Sequence, residues 1–173
     1  SGFSDVTVDE DTSVPAIDLF NSFADIEDAD NQLTFSVANI SNPALISAVN
    51  FDAVNGTATP VLVANAFGSS TITIRATDTD NSFVDSTFTI TVTSVNDTPV
   101  FTVSNPLSVD ENQTSLGQLT ASDIETLTGN LVYTIVGGAD QGAFSLSSDG
   151  LLNFNTAPDF ENLDDANADG IYE

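Results

Sequence analysis

The sequence lacks histidine, cysteine, methionine and tryptophan altogether, and Arg75 is its only basic side chain. Without His and Cys there can be no Ser-His-Asp or Cys-His nucleophile, no zinc site built on nitrogen or sulfur, and no disulfide. Against Arg75 stand 26 Asp and Glu residues, so the formal net charge of the 173-residue chain is −25. This charge excludes nucleic acid as a partner, because nothing displaces the counterions around phosphate, and it removes attraction to anionic lipid.

Long apolar runs are also missing. Stretches such as residues 61–64 (Val-Leu-Val-Ala) are far shorter than the roughly 20 residues that cross a bilayer, so no membrane insertion is expected. Hydrophobic residues nevertheless make up 40% of the chain and include 12 Phe, which is enough apolar mass for a folded core. The length allows one large domain or two small ones.

Alternation of apolar and polar residues predicts strands along most of the chain, whereas helical periodicity is nearly absent. Residues 71–77 and 86–93 alternate most clearly and predict half-buried antiparallel strands. The side chains expected to face the core are Ile72, Ile74, Phe88, Ile90 and Val92. Further strands are predicted at 6–8, 33–37, 45–51, 60–64, 131–136, 144–146 and 151–154, with a hairpin turn at 148–150 that ends in Gly150.

An internal repeat organises the chain. The Val-Asp-Glu-Asp of residues 8–11 recurs as Val-Asp-Glu-Asn at 109–112, an offset of 101, and the Asp-Ile-Glu of residues 25–27 recurs at 123–125, an offset of 98. At the same offset Leu33, Phe35 and Val37 correspond to Leu131, Tyr133 and Ile135. The period fits one immunoglobulin-sized sandwich per repeat. The sequence therefore predicts an all-β protein of two tandem Ig-like β-sandwiches, residues 1–98 and 99–173.

The second repeat is expected to be incomplete. The counterpart of Asp78 would stand near position 176, beyond Glu173, so the last strands of the second sandwich fall outside the sequence. We expect Phe144, Leu152 and Phe154, which need a facing sheet, to be left uncovered as a result. The second half should then be completed by a strand from a partner chain or be less ordered than the first.

Acidic residues recur in short pairs at the ends of predicted strands. The pairs are Asp25 with Glu27, Asp123 with Glu125, and Asp159 with Glu161. Without positive partners such acids repel one another unless salt screens them or a cation binds between them. Ca²⁺ takes six to eight hard oxygen ligands in loose geometry, whereas Mg²⁺ demands a tight octahedron and zinc lacks its usual ligands here. The alternative for any single acid is a solvated surface charge.

In their order along the chain these motifs resemble cadherins, particularly the cadherin-like tandem repeats of large bacterial surface proteins. Residues 96–101 (Asn-Asp-Thr-Pro-Val-Phe) resemble the family's Asp-x-Asn-Asp-Asn-x-Pro-x-Phe linker. Glu10 and Glu111 match the glutamate after the family's first strand. Three further matches are Asp25/Glu27 and Asp123/Glu125 to its Asp-x-Asp, Asp78 to its later Asp, and Asp159-Phe160-Glu161 to its Asp-Arg-Glu.

The resemblance implies Ca²⁺ ions between successive repeats. The junction within this chain would use Glu10, Asn96, Asp97, Asp123 and Glu125. A junction on the C-terminal side would use Glu111, Asp159 and Glu161, and one on the N-terminal side Asp25, Glu27 and Asp78. Ser94 and Thr98 depart from the family's linker, and residues 55–60 carry no acid where the family has Asp-Arg-Glu. The counterpart of the later Asp in the second repeat also falls outside the sequence, so one or two ions are expected in place of three. The alternative is a rigid, metal-free proline linker.

A separate acidic loop lies near the end of the chain. Asp165, Asn167 and Asp169, followed by Gly170, fit the first half of a D-x-N-x-D-G calcium loop. Glu173 stands at the ninth position of that loop and not at the twelfth, and no flanking helices are predicted. The loop is therefore either a local Ca²⁺ site or an acidic turn.

The leading hypothesis is a non-enzymatic structural and adhesion module of a large extracellular protein at a bacterial cell surface, stiffened by Ca²⁺. Its partners would be calcium, neighbouring repeats, another copy, or a cell-surface ligand. A second hypothesis is a carbohydrate-binding or accessory domain of a secreted polysaccharide-degrading enzyme, although Trp is absent and Tyr numbers two. A filament subunit completed by strand exchange is a third. A paired-carboxylate glycosidase is the fourth, and a small sandwich offers little cleft for it.

Overall fold

The structure is a computed structural model of the chain and describes residues 2–103, 107–159, 161–162, 165–166 and 170–172. The chain divides into two compact units, Ser1–Val95 (unit 1) and Asn96–Glu173 (unit 2). The limits 1–98 and 99–173 stay a prediction of where each cadherin-like repeat begins and ends.

Unit 1 contains two β-sheets. Its strands are β1 (Val6–Asp9), β2 (Ile17–Asp18), β3 (Thr34–Ile40), β4 (Ile46–Asp52), β5 (Thr57–Leu62), β6 (Gly68–Thr77) and β7 (Phe83–Thr93). One sheet has the order β1-β7-β6-β3, and the other has the order β2-β5-β4. The strand β1 runs parallel to β7, and every other pairing in unit 1 is antiparallel.

The core of unit 1 contains apolar side chains from both sheets. Every second residue is buried from Ser70 to Ala76 on β6 and from Phe88 to Val92 on β7, and the five side chains expected to face the core are all buried. From the other sheet Ile46 and Ala58 join the same buried cluster. Each large aliphatic or aromatic side chain buried in this way contributes roughly 1.5–3 kcal/mol. The alternation of apolar and polar residues therefore places apolar side chains of both sheets in one core, and the packing of these side chains holds the two sheets of unit 1 together.

Unit 2 contains shorter strands. They are β8 (Val100–Phe101), β9 (Ser115–Gln118), β10 (Ala121–Ser122), β11 (Phe144–Leu146) and β12 (Leu151–Phe154). The antiparallel pairs form a three-stranded sheet, β11-β12-β9, and a two-stranded sheet, β10-β8. The predicted hairpin is confirmed: β11 and β12 are joined by a turn in which Gly150 has a φ of 96°.

Two expectations for unit 2 are wrong. Residues 131–136 are described but are not a strand, because no strand in the described part of the chain lies beside them to complete a ladder. Phe154, expected to be left uncovered, is only 7% exposed. The rings of Phe144 and Tyr172 both lie with centroids 4.8 Å from that of Phe154 and cover it.

The all-β prediction is confirmed. The described residues form no α-helix, and their only helical segments are three-residue 3-10 turns at Asp30–Gln32, Thr128–Asn130 and Gln141–Ala143. None of the described segments is a helix long and apolar enough to cross a membrane.

Candidate metal sites

Three carboxylates of unit 2 converge at one place. Oxygen atoms of Glu111, Asp159 and Glu161 all lie within 4.8 Å of one another, and no other group of three acids in the described part of the chain is so compact. Glu111 lies in the loop before β9, and Asp159 and Glu161 lie in the loop after β12. A hydrogen bond from the backbone N–H of Asn112 to the carbonyl of Pro158 (2.9 Å) holds these loops together.

The electrostatics of this cluster are unfavourable without a cation. The largest influence on the pKa of Glu161 is a hydrogen bond from its own backbone N–H, which lowers it. The negative charge of Glu111 and the side chains of Asp159 and Glu111 nevertheless raise that pKa above its ordinary value of 4.5. All three side chains are exposed, and the sequence holds no basic residue except Arg75. The loops thus hold like charges at short range, which is the arrangement that a divalent cation stabilises.

Arg75 is engaged elsewhere. Its guanidinium donates two hydrogen bonds to the carboxylate of Asp85, at 2.8 and 2.9 Å, and lies 3.7 Å from the ring centroid of Phe83. The hydrogen bond with Arg75 lowers the pKa of Asp85. The single cation of the chain therefore compensates one acid on β7 and none of the predicted metal ligands.

Glu10 is the most deeply buried acid in unit 1, with 3% of its surface exposed. It follows β1, and its Oε1 accepts a hydrogen bond from the backbone N–H of Val95 at 2.7 Å. Its Oε2 is buried and has no hydrogen-bond partner in the described part of the chain. A buried carboxylate oxygen without a partner is costly, so this atom is a suitable ligand for a cation.

The acids that follow Val95 are partly brought together within unit 2. The backbone N–H of Asp97 donates to Oε2 of Glu125 at 2.9 Å, while Oε1 of Glu125 is buried without a hydrogen-bond partner among the described residues. Asp123 lies on the same loop as Glu125, and its Oδ1 accepts the N–H of Thr126 at 2.6 Å. Asn96 is exposed. Asp97, Asp123 and Glu125 do not form a group as tight as the one at Glu111.

The predicted N-terminal set is not gathered into such a group either. Oδ1 of Asp25 accepts the backbone N–H groups of Asp28 and Glu27, which together lower the pKa of Asp25. Oδ1 of Asp78 likewise accepts the N–H groups of its own loop, and Glu27 is exposed. Sequence reasoning missed Asp28, whose carboxylate accepts the N–H and hydroxyl of Thr79 and so links the two loops. In the sequence, only its position next to Glu27 could have indicated that Asp28 belongs to this group of acids.

Asp165 is the described residue of the predicted D-x-N-x-D-G loop that carries a carboxylate. It is 7% exposed, and its Oδ2 accepts the backbone N–H groups of Gly170 at 2.7 Å and Ile171 at 3.1 Å. Asp140, which no sequence motif singled out, accepts the N–H of Ala166 at 2.6 Å. Asn167, Asp169 and Glu173 lie outside the described residues, as does Phe160 of the Asp159 motif. A Ca²⁺ site in this loop stays a prediction.

Solved structures similar to this chain are cadherin ectodomains, the family that the sequence resembles. Human CDH23 EC21-23 is 21% identical with a TM-score of 0.49, over 92% of this chain and 58% of that one. Drosophila N-cadherin EC1-4 is 19% identical with a TM-score of 0.48, over 90% and 40%. Mouse Cadherin-23 EC22-24 is 16% identical with a TM-score of 0.46, over 92% and 53%.

The chain thus spans about 40–60% of the length of those structures. Their identities lie below one quarter and their TM-scores below one half, so the likeness by itself assigns neither a ligand nor a partner to this chain. No protein-family model matches the sequence, and no curated protein matches it.

Proposed function

We propose that this chain is a calcium-binding structural and adhesion module of a larger extracellular protein. The observation that carries the proposal is the convergence of Glu111, Asp159 and Glu161 within 4.8 Å, in a sequence with 26 acids and one basic residue. A purely solubilising surface would space its acids apart, because each close approach costs free energy. The raised pKa of Glu161 reports that cost.

Calcium is the metal that best fits these ligands. The donor set consists of carboxylate oxygens, and the sequence offers no imidazole nitrogen or thiolate sulfur for a softer metal. The three side chains are exposed and stand on loops, which suits the loose coordination of Ca²⁺ better than the strict octahedron of Mg²⁺. Extracellular modules bind Ca²⁺ with dissociation constants on the order of 10⁻⁴–10⁻³ M, and we expect this range here.

The bound ion would act on the loops. It supplies positive charge at a place where three carboxylates otherwise repel one another. Glu111 from the loop before β9 and the pair Asp159 and Glu161 from the loop after β12 would then be held to one another, in addition to the backbone hydrogen bond from Asn112. A cation would also stabilise Glu10 in unit 1 and Glu125 in unit 2, since each has a buried carboxylate oxygen without a hydrogen-bond partner among the described residues. Calcium would thereby stiffen both units.

A calcium titration of the 173-residue chain tests the cluster. We expect saturable binding by calorimetry and a rise in the melting temperature of unit 2, since a ligand at a hundredfold excess over its dissociation constant stabilises by about 2.7 kcal/mol. Asp159→Asn should weaken binding at least fivefold. Asp149→Asn is the matched control, because Asp149 is an exposed acid of the β11–β12 turn in the same unit. Equal calcium affinity of the two variants would show that the cluster of Glu111, Asp159 and Glu161 does not bind calcium.

The ligands predicted for the junction need their own comparison. Asp97→Asn should weaken a separate calcium-binding step, whereas Asp52→Asn should leave every binding step unchanged. Asp52 hydrogen-bonds only within its turn, to Val54 and Asn55 among the described contacts. The shared use of Glu10, Asn96, Asp97, Asp123 and Glu125 by one junction stays a prediction from the resemblance. A titration with a single binding step, unaffected by Asp97→Asn, would contradict it.

The remaining parts of the proposal concern context. An extracellular location, neighbouring repeats or another copy as partners, and a non-enzymatic role are proposed from the resemblance. Scattering with and without a chelator measures whether calcium narrows the range of conformations, as a stiffening role requires. Identical profiles in both conditions would leave calcium binding without a mechanical consequence.

A further inference from the structure

The residue after each repeated glutamate has a left-handed backbone conformation. Asp11, which follows Glu10, has a φ of 57°, and Asn112, which follows Glu111, has a φ of 60°. Both residues stand at the fourth position of the repeated motif. In the part of the chain that the structure describes, only two other residues besides glycines have a positive φ. The conformation thus marks the position directly after two predicted Ca²⁺ ligands.

A positive φ restricts which residue types fit this position. A Cβ crowds the backbone there, so residues other than glycine seldom adopt the conformation, and β-branched residues almost never do. Asp and Asn tolerate it best after glycine. The motif changes from Asp11 to Asn112 between the repeats, so the charge of the side chain is lost while the tolerance of a positive φ is kept. The feature that the two units share here is the backbone conformation.

In unit 1 this residue lies where the chain leaves the first sheet. The backbone N–H of Glu10 still donates to the carbonyl of Thr93 at 2.9 Å, so Glu10 is held against β7. Asp11 then turns the chain, and its Oδ1 accepts the backbone N–H of Asn65 at 2.9 Å. Glu10 is therefore fixed on both sides, and its Oε1 accepts the N–H of Val95 at 2.7 Å.

In unit 2 the same conformation joins the two acidic loops. The N–H of Asn112 donates to the carbonyl of Pro158 at 2.9 Å, and these two residues are the direct chain neighbours of Glu111 and Asp159. Residues 107–110, the counterpart of β1, are not a strand, yet the residue at position 112 is left-handed all the same. The conformation therefore does not depend on a neighbouring strand and is a local property of the motif.

We propose that Asp11 and Asn112 are positioning residues for calcium binding, because their left-handed backbone holds Glu10 and Glu111 in place. This inference rests on the proposed function, since it adds no ligand and names what places two of them. A residue forced to a negative φ would redirect the peptide group that joins it to the preceding glutamate. At position 112 the N–H would then turn away from the carbonyl of Pro158, and the two acidic loops would separate.

Calcium titration of the 173-residue chain tests the role of Asn112. Asn112→Gly should keep the calcium affinity within about twofold, because glycine adopts a positive φ without a steric cost. Asn112→Val should weaken it roughly fivefold or more, because a β-branched residue is strained there. Gln113→Val is the matched control: residue 113 is exposed in the same loop and has no positive φ, so the parent affinity should be kept. An equal loss in Asn112→Gly and Asn112→Val would overturn the inference, since it would assign the effect to the amide side chain.

A second measurement needs no calcium. In chelator, the hydrogen exchange rate of the Val95 amide reports whether Glu10 is in place, because this N–H donates to Oε1 of Glu10. The amide of Ile90, in the core of β7, reports the stability of unit 1 as a whole. Relative to Ile90, the exchange of Val95 should accelerate roughly fivefold or more in Asp11→Val. It should stay within about twofold in Asp11→Asn and Asp11→Gly, which both tolerate the positive φ.

The two measurements separate this inference from the proposed function. If Asp159→Asn weakens calcium binding and Asn112→Val does not, the calcium site stands and the positioning role is refuted. If Asp159→Asn leaves the affinity unchanged, the calcium cluster is refuted, and the positioning role of Asn112 is refuted with it. Equal exchange of Val95 in Asp11→Gly and Asp11→Val would overturn the role of Asp11, because both variants lose the carboxylate and only Val disfavours the conformation.

Discussion

Units 1 and 2 carry related sequence patterns but differ greatly in how much they bury. Twelve hydrophobic residues of unit 1 form its buried core, whereas Ala121 and Phe154 are the buried hydrophobic residues of unit 2 within the described part of the chain. Half of the unit 1 core comes from β6 and β7, the strands that have no counterpart among the described residues of unit 2. In unit 1 the β6–β7 hairpin thus supplies both the central strands of one sheet and half of the buried core.

The acids of the two units differ as well. In unit 1, hydrogen bonds from other residues lower the pKa values of Asp25, Asp52 and Asp85. In unit 2, neighbouring carboxylates raise the pKa of Glu161. Hydrogen-bond donors thus stabilise the charged forms of these three acids of unit 1, whereas neighbouring carboxylates disfavour the charged form of Glu161 in unit 2. Both differences between the units can be tested by substitution and by pH.

The largest effect is expected in the core of unit 1. Ile74→Ala removes a fully buried side chain and should cost about 2–5 kcal/mol of the free energy of unfolding. The matched change in unit 2, Ile135→Ala, lies in the segment without a neighbouring strand and should cost about 1 kcal/mol or less, because Ile135 is 37% exposed. Chemical denaturation followed by hydrogen exchange in each unit measures both. Equal losses would mean that unit 2 buries more than the structure indicates.

The turn glycines of the two corresponding hairpins come next. Gly56 joins β4 to β5 and Gly150 joins β11 to β12, both with positive φ. A Cβ at Gly150 would lie 2.8 Å from the carbonyl oxygen of Leu119, and one at Gly56 would lie 2.3 Å from the Phe20 ring. Both substitutions to Ala should destabilise by about 1–3 kcal/mol.

Gly150→Ala should be the worse of these two variants. A half-buried ring can swing aside, whereas a backbone carbonyl cannot do so without moving its strand, and a φ of 96° is less accessible to Ala than a φ of 61°. Thermal melts of both variants, compared with the parent chain, give the order. A reversed order would show that the turn of unit 2 is the more adaptable one.

A smaller effect with opposite signs is expected from removing one acid in each unit. In chelator, Glu161→Gln should raise the melting temperature of unit 2, since it relieves the repulsion from Glu111 and Asp159. Asp85→Asn should lower that of unit 1, since it breaks the pair with Arg75. With calcium present the benefit of Glu161→Gln should disappear. The same sign for both variants in chelator would contradict the electrostatic difference between the units.

The smallest effect concerns pH in the absence of metal. Asp25, Asp52 and Asp85 have lowered pKa values, so their stabilisation is present above their ordinary value of 3.8 and is lost as the pH falls through their folded values. Glu161 has a raised pKa, so its contribution becomes more favourable as the pH falls from neutral through its folded pKa toward 4.5. Hydrogen exchange at a series of pH values measures the stability of each unit. On mild acidification the stability of unit 2 should rise before the stability of unit 1 falls. Parallel loss in both units on first acidification would refute this.

The sequence alone determined the fold class and much of the candidate site. Period-two alternation predicted the long strands and the core positions on β6 and β7, because side chains on successive strand residues face opposite sides. The repeat and its acidic motifs singled out Glu111, Asp159 and Glu161 without any knowledge of their proximity. Composition alone excluded cysteine and histidine chemistry, since those residues are absent.

Only the tertiary structure decided which of these patterns became contacts. Residues 131–136 have the alternation of a strand, yet a strand exists only where a neighbour completes its hydrogen bonds, and that neighbour is distant in sequence. Likewise the spacing Asp-x-Glu is identical at 25–27 and 123–125, but carboxylates cluster only where separate loops bring them together, as the loops before β9 and after β12 do. Local pattern specified each side chain's direction, and the packing of remote segments specified what it meets.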